Sequence, residues 1–156
     1  MIISEAKKHL SELDIWICSY GGCGTNLLTN FFSNSGLVSK TEAWESDLCH
    51  YYTYVENDKP TIYLYGDPIS CIKSQKLRRH KKYNIEKLGN RVVKNQSDEA
   101  LIYSMCCQFY NWINYVNKNK KIIFIKYDEI YEKINLIENF VDRKSTRLNS
   151  SHVSES

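Results

Sequence analysis

A glycine-rich loop after a buried strand is the clearest candidate for chemistry in this sequence. It reads SYGGCGTNLL, residues 19–28, and follows the apolar run 15–18. Glycines let successive backbone N–H groups converge on an anion, and the N-terminus of a following helix adds partial positive charge. A tight turn without a ligand is the alternative. The pattern favours a phosphate- or sulfate-binding loop made of Gly21, Gly22, Cys23, Gly24, Thr25 and Asn26.

Two common nucleotide-binding patterns do not fit this loop. The Walker pattern requires Gly-Lys followed by Ser or Thr, whereas Gly24 is followed by Thr25 and Asn26. The dinucleotide pattern Gly-x-Gly-x-x-Gly is also absent from the loop. The loop by itself therefore indicates an anion and no particular reaction.

Strand and helix patterns alternate along the chain. Short apolar runs predict buried strands at 14–20, from Lys59 and from Lys120. This alternation is typical of an α/β fold with a parallel sheet in a three-layer arrangement, covered by helices. We predict helices at 24–35, 42–54, 69–80 (with Ile69, Ile72 and Leu77 as its apolar positions), 97–118 and 128–141, and a polar loop at 81–96.

Length and composition are those of one globular domain. The chain has 156 residues, 42% hydrophobic and 25% charged, with a net charge of +3 that is too small to indicate nucleic-acid binding. It shows no pattern of a signal peptide and no apolar run long enough to span a bilayer. The six cysteines form no Cys-x-x-Cys pair and predict reduced core thiols in a cytoplasmic protein; a secreted disulfide framework is the alternative.

The last part of the sequence differs in character. Residues 142–152 read DRKSTRLNSSH and resemble one reading frame of a common DNA sequencing adapter. We therefore expect a domain at 1–141 that is incomplete at its C-terminus, followed by an artefactual tail at 142–156. A disordered Ser-rich tail is the alternative.

Two further stretches sharpen the interpretation of the loop. YLYGDPISCIKSQ begins at Tyr63 and contains Asp67-Pro68 and Ser74, and IKYDEI occupies residues 125–130. Together with SYGGCGTNLL, these stretches resemble the motifs of the PAPS-dependent sulfotransferases. The family's first loop reads roughly Tyr-Pro-Lys-Ser-Gly-Thr-Thr, its second motif is Arg-Asn/Asp-Pro with a serine eight positions after the arginine, and its third strand ends in Tyr-Glu-Asp-Leu. The resemblance covers about residues 14–141.

The resemblance implies a P-loop NTPase-like sulfotransferase fold and a sulfuryl transfer from PAPS, without a metal. The acceptor would be a hydroxyl or amine of a glycan or small molecule. The glycine-rich loop would wrap the phosphosulfate with its backbone N–H groups. Ser74, at the start of the helix after the second strand, would donate its hydroxyl to the 3′-phosphate.

The chain departs from the family pattern at two positions. Gly22 stands where the family has Lys or Arg, and Gly66 stands where it has Arg. Each lost charge-assisted hydrogen bond costs about 1.5–3 kcal/mol. Lys73 and the basic run KLRRHKK, residues 76–82 on the same predicted helix, are candidate substitutes. The alternative for the run is a solvated helix face.

The resemblance also implies a catalytic base, often a histidine at the end of the strand between the first two motifs. His50 is the only histidine between them, and its ordinary pKa near neutrality suits the role. A partly buried histidine in a Tyr-rich helix is the alternative, and Glu42 and Glu45 are fallback bases. Two other functions compete with the sulfotransferase. One is a nucleotide-binding protein without catalysis, and the other is a small-molecule kinase with a degenerate P-loop.

Overall fold

The computed structural model describes residues 1–40, 48–116 and 121–142. Within them the chain is an α/β protein with one parallel three-stranded sheet in the order β1-β2-β3, flanked by helices. The strands are β1 Trp16–Ser19, β2 Thr61–Tyr65 and β3 Ile122–Lys126. The helices are α1 Ile3–Leu10, α2 Thr25–Asn34, α3 Pro68–Leu77, α4 Lys81–Gly89, α5 Asp98–Val116 and α6 at 134–142, with 3₁₀ turns at Leu48–His50 and Tyr127–Glu129.

The sheet is most deeply buried at β1 and β2. In the register, Cys18 lies beside Tyr63, which lies beside Phe124. All four residues of β1 are fully buried, so both of its faces are covered. Such continuous apolar strands are expected in a parallel sheet between helices. In β3 the central residues are half-buried.

Helix α5 covers one face of the sheet with aromatic side chains. The Trp112 ring lies 4.8 Å from the ring of Trp16 and 5.0 Å from the ring of Tyr63, measured between centroids. A side-chain cap begins this helix, because Ser97 Oγ accepts a hydrogen bond of 3.2 Å from the N–H of Ala100. The sequence prediction of a long helix here is confirmed from 98 to 116.

A buried amide on α5 joins three other parts of the chain. Gln108 Oε1 accepts a 2.7 Å hydrogen bond from the Tyr63 hydroxyl. Gln108 Nε2 donates to the carbonyl oxygens of Ser19 at 3.0 Å and Tyr51 at 3.1 Å. Trp112 Nε1 donates to the same Tyr51 oxygen at 3.0 Å. Because Gln108 is fully buried, these bonds replace all of its contacts with water.

The predicted loop at 81–96 is wrong over its first half. Residues Lys81–Gly89 form helix α4, with Ile85 and Leu88 fully buried. Only these two apolar side chains mark the inner face, in a segment that is otherwise polar. The Ser104 hydroxyl of α5 also donates to the Ile85 carbonyl oxygen at 2.8 Å. Packing against α5 therefore stabilises a helix that the local sequence pattern does not predict.

The inner face of α3 also differs from the prediction. Ile69 is 62% exposed and Leu77 is 86% exposed, whereas Cys71, Ile72 and Gln75 are buried. Of the three apolar positions named from the sequence, Ile72 is buried and the other two are exposed. Cys71 and Gln75 complete the buried face because they pack against the glycine-rich loop.

Two predicted helices are shorter than expected. In the helix predicted at 42–54, residues 48–50 form a 3₁₀ turn and residues 51–54 are irregular. The first part of that prediction, 42–47, lies outside the described residues and includes the fallback bases Glu42 and Glu45. The helix predicted at 128–141 begins only at 134, after the 3₁₀ turn Tyr127–Glu129. The tail predicted from 142 onward lies outside the described residues except for Asp142.

All six cysteines are free thiols. Cys18, Cys23, Cys49 and Cys71 are buried, as predicted, but Cys106 is exposed and Cys107 is half-buried, so the prediction of core thiols is wrong for those two. Among the described residues, no helix has the length and apolar character needed to cross a bilayer.

Substitution of Gln108 with Leu is expected to lower the free energy of unfolding by about 1–3 kcal/mol, because the Tyr63 hydroxyl loses its buried acceptor. Adding Tyr63→Phe should recover most of that loss, since both polar partners are then absent. Urea unfolding measures both effects. Gln96→Leu, at an exposed glutamine, is the control and should change stability little. Equal losses in Gln108→Leu and Gln96→Leu would contradict the role of the amide.

Candidate functional site

The three sequence motifs meet at the carboxyl edge of the sheet. The Tyr20 hydroxyl, just after β1, donates to the Gly66 carbonyl oxygen and accepts from the Gly66 N–H at 2.8 Å. The Tyr127 ring and Ile130, just after β3, lie against Gly24. The ends of parallel strands are the usual place for ligands in such sheets. The motifs therefore share one place in the structure, although they lie far apart in the chain.

The loop holds a backbone conformation that favours glycine. Gly21, Gly22 and Gly24 have φ values of +98°, +72° and +84°. Gly24 is the N-cap of α2 in the left-handed region, and the right-handed helix begins at Thr25. Adjacent left- and right-handed residues of this kind form anion-binding concavities. Ser19 Oγ accepts the Gly21 N–H at 2.9 Å and so fixes the start of the loop.

Unpaired backbone donors follow in the loop. Within the described part of the chain, no acceptor receives the N–H groups of residues 22–27. The first turn of any helix leaves its N–H groups without an intrahelical acceptor, and here these are the groups of residues 25–27. The N–H groups of residues 22–24 precede them in the loop and add three further donors. Six consecutive donors and the positive end of the α2 dipole make this segment a candidate anion site.

Helix α3 packs directly on the loop. A Cβ atom at Gly22 would lie 3.0 Å from the Cα of Cys71, and one at Gly21 would lie 2.7 Å from Gln75 Nε2. Gln75 Nε2 also donates to the Tyr20 carbonyl oxygen at 3.0 Å, and Asn84 Nδ2 donates to Gln75 Oε1 at 2.8 Å. The close approach explains the need for glycine at position 22, because a side chain there would meet the backbone of α3.

Gly66 is under no such constraint. A Cβ atom there would lie 3.5 Å from Tyr127 Cβ and 3.8 Å from Cys71 Sγ, which are ordinary contacts. Its φ is not in the left-handed region. The backbone at this position therefore accepts a side chain, unlike that at Gly22.

Cys23 takes part in the loop through its backbone. Its Sγ lies 3.3 Å from Cys71 Sγ, and both residues are buried. This sulfur–sulfur hydrogen bond lowers the pKa of the Cys71 thiol and, with burial, raises that of Cys23. The Cys23 side chain thus packs toward α3, and only its N–H is left for an anion.

The remaining predicted binding residues lie around the loop. Thr25 is buried and Asn26 exposed in the first turn of α2. Ser74 is half-buried and lies between Cys71 and Gln75, the two α3 residues that contact the loop, but it is the seventh residue of α3 and not at its start. Asp67-Pro68 begins that helix, since Asp67 Oδ2 accepts the Ser70 N–H at 3.0 Å.

His50 lies beside the first residue of the loop segment. Its Nδ1 is 2.8 Å from the Ser19 carbonyl oxygen. A carbonyl can only accept, so Nδ1 carries the proton and Nε2 keeps its lone pair. Burial, and then the charge of Lys87, lower the pKa of the half-buried ring to about 4. The imidazole is neutral at neutral pH and is held in a 3₁₀ turn, not in the Tyr-rich helix that was the alternative.

The basic run at 76–82 does not lie on one helix, contrary to expectation. Helix α3 ends at Leu77, Arg79 adopts a φ of +58°, and α4 begins at Lys81. Lys76 and Lys81 both form ion pairs with Asp98, at 3.2 and 2.7 Å. Their charge is partly committed to α5, which favours the structural interpretation of these two lysines.

Sequence reasoning missed four residues that build the site: Cys71, Gln75, Gln108 and Tyr127. Tyr127 lies in the IKYDEI stretch, and Cys71 and Gln75 lie in YLYGDPISCIKSQ, but neither stretch gave these residues a role. Gln108 lies outside all the quoted stretches. Within residues 1–40, 48–116 and 121–142, no group of three His, Cys, Asp or Glu side chains is placed to hold a metal ion. No protein family, curated protein or solved structure compared with the chain matches it.

Gly22→Ala should destabilise the protein more than Gly36→Ala. Both glycines have positive φ, +72° and +85°, but a Cβ at Gly36 meets nothing within 4 Å. The Gly36 variant therefore isolates the conformational cost, about 1 kcal/mol, while Gly22→Ala adds about 1–3 kcal/mol of overpacking against α3. Chemical denaturation measures the difference. Equal losses would mean that α3 does not constrain the loop.

Stability should depend on pH through His50. The ordinary pKa of 6.5 exceeds the folded value of about 4, so the unfolded chain binds the extra proton first as pH falls. The contribution is complete above pH 6.5 and is lost between pH 6.5 and 4, by roughly 3 kcal/mol. Unfolding free energies of wild type and His50→Gln across this window measure it. A slope unchanged in His50→Gln, or reduced equally by His80→Gln at an exposed histidine, would contradict the assignment.

Proposed function

We propose that this chain belongs to a sulfotransferase-like α/β domain that binds PAPS at the glycine-rich loop and transfers its sulfuryl group. The acceptor is a hydroxyl or amine of a glycan or small molecule. The observation that carries the proposal is the row of N–H groups at residues 22–27, unpaired among the described residues, at the edge where the three motifs meet. A P-loop-like fold of the sulfotransferase type is part of the same proposal.

The loop suits an anionic group that bridges backbone donors. The N–H groups and the α2 dipole bind the 5′-phosphosulfate, and Ser74 reaches the 3′-phosphate from α3, which packs on the loop through Cys71 and Gln75. The donor is then held between α2 and α3, with the β1 and β2 ends beneath it.

His50 supplies the base in this proposal. Its Nε2 accepts the proton of the acceptor hydroxyl as the acceptor oxygen forms a bond to sulfur. The bond between sulfur and the bridging oxygen breaks, and its electron pair leaves with the 5′-phosphate, which the loop N–H groups stabilise. A folded pKa near 4 makes the free ring a weak base, and an anionic donor bound nearby raises that pKa because it favours the imidazolium.

The most direct test of the proposed donor site introduces an arginine at Gly66, where the family has one. Gly66→Arg should strengthen binding of adenosine 3′,5′-bisphosphate, the desulfated donor product, about tenfold or more, because an arginine there regains a charge-assisted contact with phosphate. The backbone at Gly66 accepts a side chain, so the fold should be retained. Isothermal titration calorimetry without metal measures the affinity.

Gly66→Gln is the matched control, since it adds a side chain of similar reach without charge. Equal affinities for the Arg and Gln variants, or no binding by either, would overturn the donor-site assignment. Binding of ATP that requires Mg²⁺ would instead indicate the degenerate P-loop kinase.

A second candidate is a nucleotide-binding protein without catalysis. It is favoured by the packing of Cys71 on Gly22, which leaves no room at that position for the cation that stabilises the leaving phosphate in the family. Binding of the bisphosphate without sulfate transfer from PAPS would support this candidate over the enzyme.

A further inference from the structure

Two buried cysteines face each other where the glycine-rich loop packs on α3. The sulfur of Cys23 in the loop lies 3.3 Å from the sulfur of Cys71 in α3, and the two residues are 48 positions apart in the chain. Cys23 is fully buried, and Cys71 keeps 2% of its surface exposed. The sulfurs of a disulfide bond lie about 2.05 Å apart, so this pair must approach by only about 1.3 Å.

Neighbouring contacts already hold the two backbones together. A Cβ atom at Gly22, which directly precedes Cys23, would lie 3.0 Å from the Cα of Cys71. Gln75 lies one turn after Cys71 on α3, and its Nε2 donates to the Tyr20 carbonyl oxygen at 3.0 Å. The fold has therefore already overcome the entropic cost of bringing these distant parts of the chain together. Closing the bond requires only a local shift of the two side chains and the loop.

Cys71 is the better nucleophile of the pair. Its hydrogen bond with Cys23 outweighs burial and the charge of Asp67, so the pKa of the Cys71 thiol lies below its ordinary value. The same hydrogen bond, together with burial, raises the pKa of Cys23. The thiolate is the form of cysteine that reacts with oxidants. Because so little of Cys71 is exposed, the oxidant that reaches it must be small, such as hydrogen peroxide.

We propose that Cys23 and Cys71 form a reversible disulfide bond when the protein meets hydrogen peroxide, and that this bond fixes the glycine-rich loop to α3. Cys71 is the reactive cysteine, and Cys23 is the resolving cysteine beside it, an arrangement found in redox sensors. The inference does not depend on the proposed function, because it requires neither PAPS nor an acceptor.

The chemistry takes place in two steps. The Cys71 thiolate attacks one oxygen of the peroxide, the O–O bond breaks, and the other oxygen leaves as hydroxide, which takes up the proton lost by Cys71. The Cys23 sulfur then attacks the sulfenic acid sulfur of Cys71, so that the S–S bond forms and the S–O bond breaks. The Cys23 proton leaves with that hydroxide as water. Two thiols are thereby oxidised, and one peroxide is reduced to two waters.

The test treats the full chain with hydrogen peroxide in a Cys106→Ser, Cys107→Ser background, which removes the exposed and the half-buried thiol. After the remaining thiols are alkylated, the protein is digested with chymotrypsin. Cleavage after tyrosines separates Cys23 from Cys18 and Cys71 from Cys49. Mass spectrometry should find the Cys23 peptide linked to the Cys71 peptide, and dithiothreitol should release both.

The oxidised protein should also unfold at a higher urea concentration than the reduced protein. A link across 48 positions restricts the unfolded chain, while the folded chain already holds the two residues together. Dithiothreitol should return the unfolding midpoint to that of the reduced protein.

Cys49→Ala is the matched control, because Cys49 is also a buried cysteine but lies outside the loop and α3. It should retain both the link and the shift in midpoint. Cys23→Ala and Cys71→Ala each remove one sulfur atom of the pair and should lose both effects. No linked peptide, a link between Cys18 and Cys49 in its place, or a midpoint shift that persists in Cys23→Ala would overturn the proposed bond. A linked protein with an unchanged midpoint would overturn the fixing of the loop.

Discussion

The fully buried Gln108 amide is the interaction on which the site depends. It holds the hydroxyl of Tyr63 in β2 and the carbonyl oxygens of Ser19 and Tyr51. The Ser19 oxygen also accepts from His50 at the start of the loop segment. Because buried polar groups must remain paired, the loop, His50 and the Tyr51 backbone are held in one arrangement.

A steric constraint sets the chemistry of the loop. Helix α3 lies so close to Gly21 and Gly22 that no side chain fits between them. A cation is thereby excluded from the loop itself, and attraction for an anion must come from backbone N–H groups and the α2 dipole. In the proposed function, such donors are fixed in place and cost no reorganisation when charge develops on the leaving phosphate.

Positive charge near this neutral loop is partly engaged within the protein. Lys76 and Lys81 are paired with Asp98 on α5, and the charge of Lys87 helps to lower the pKa of His50. In the proposed function, the donor therefore meets oriented backbone amides. His50 is joined to the loop segment through the Ser19 carbonyl oxygen.

The sequence by itself determined the features that short windows encode. Apolar runs marked the three strands, and Ser97 and Asp67 marked the starts of α5 and α3 by capping. Tertiary structure decided the rest: helix α4 is stabilised by packing on α5, and the need for glycine at Gly22 comes from Cys71, 49 positions away. The bond from Gln108 to Ser19 spans 89 positions. Such contacts depend on how elements pack, and no local periodicity records them.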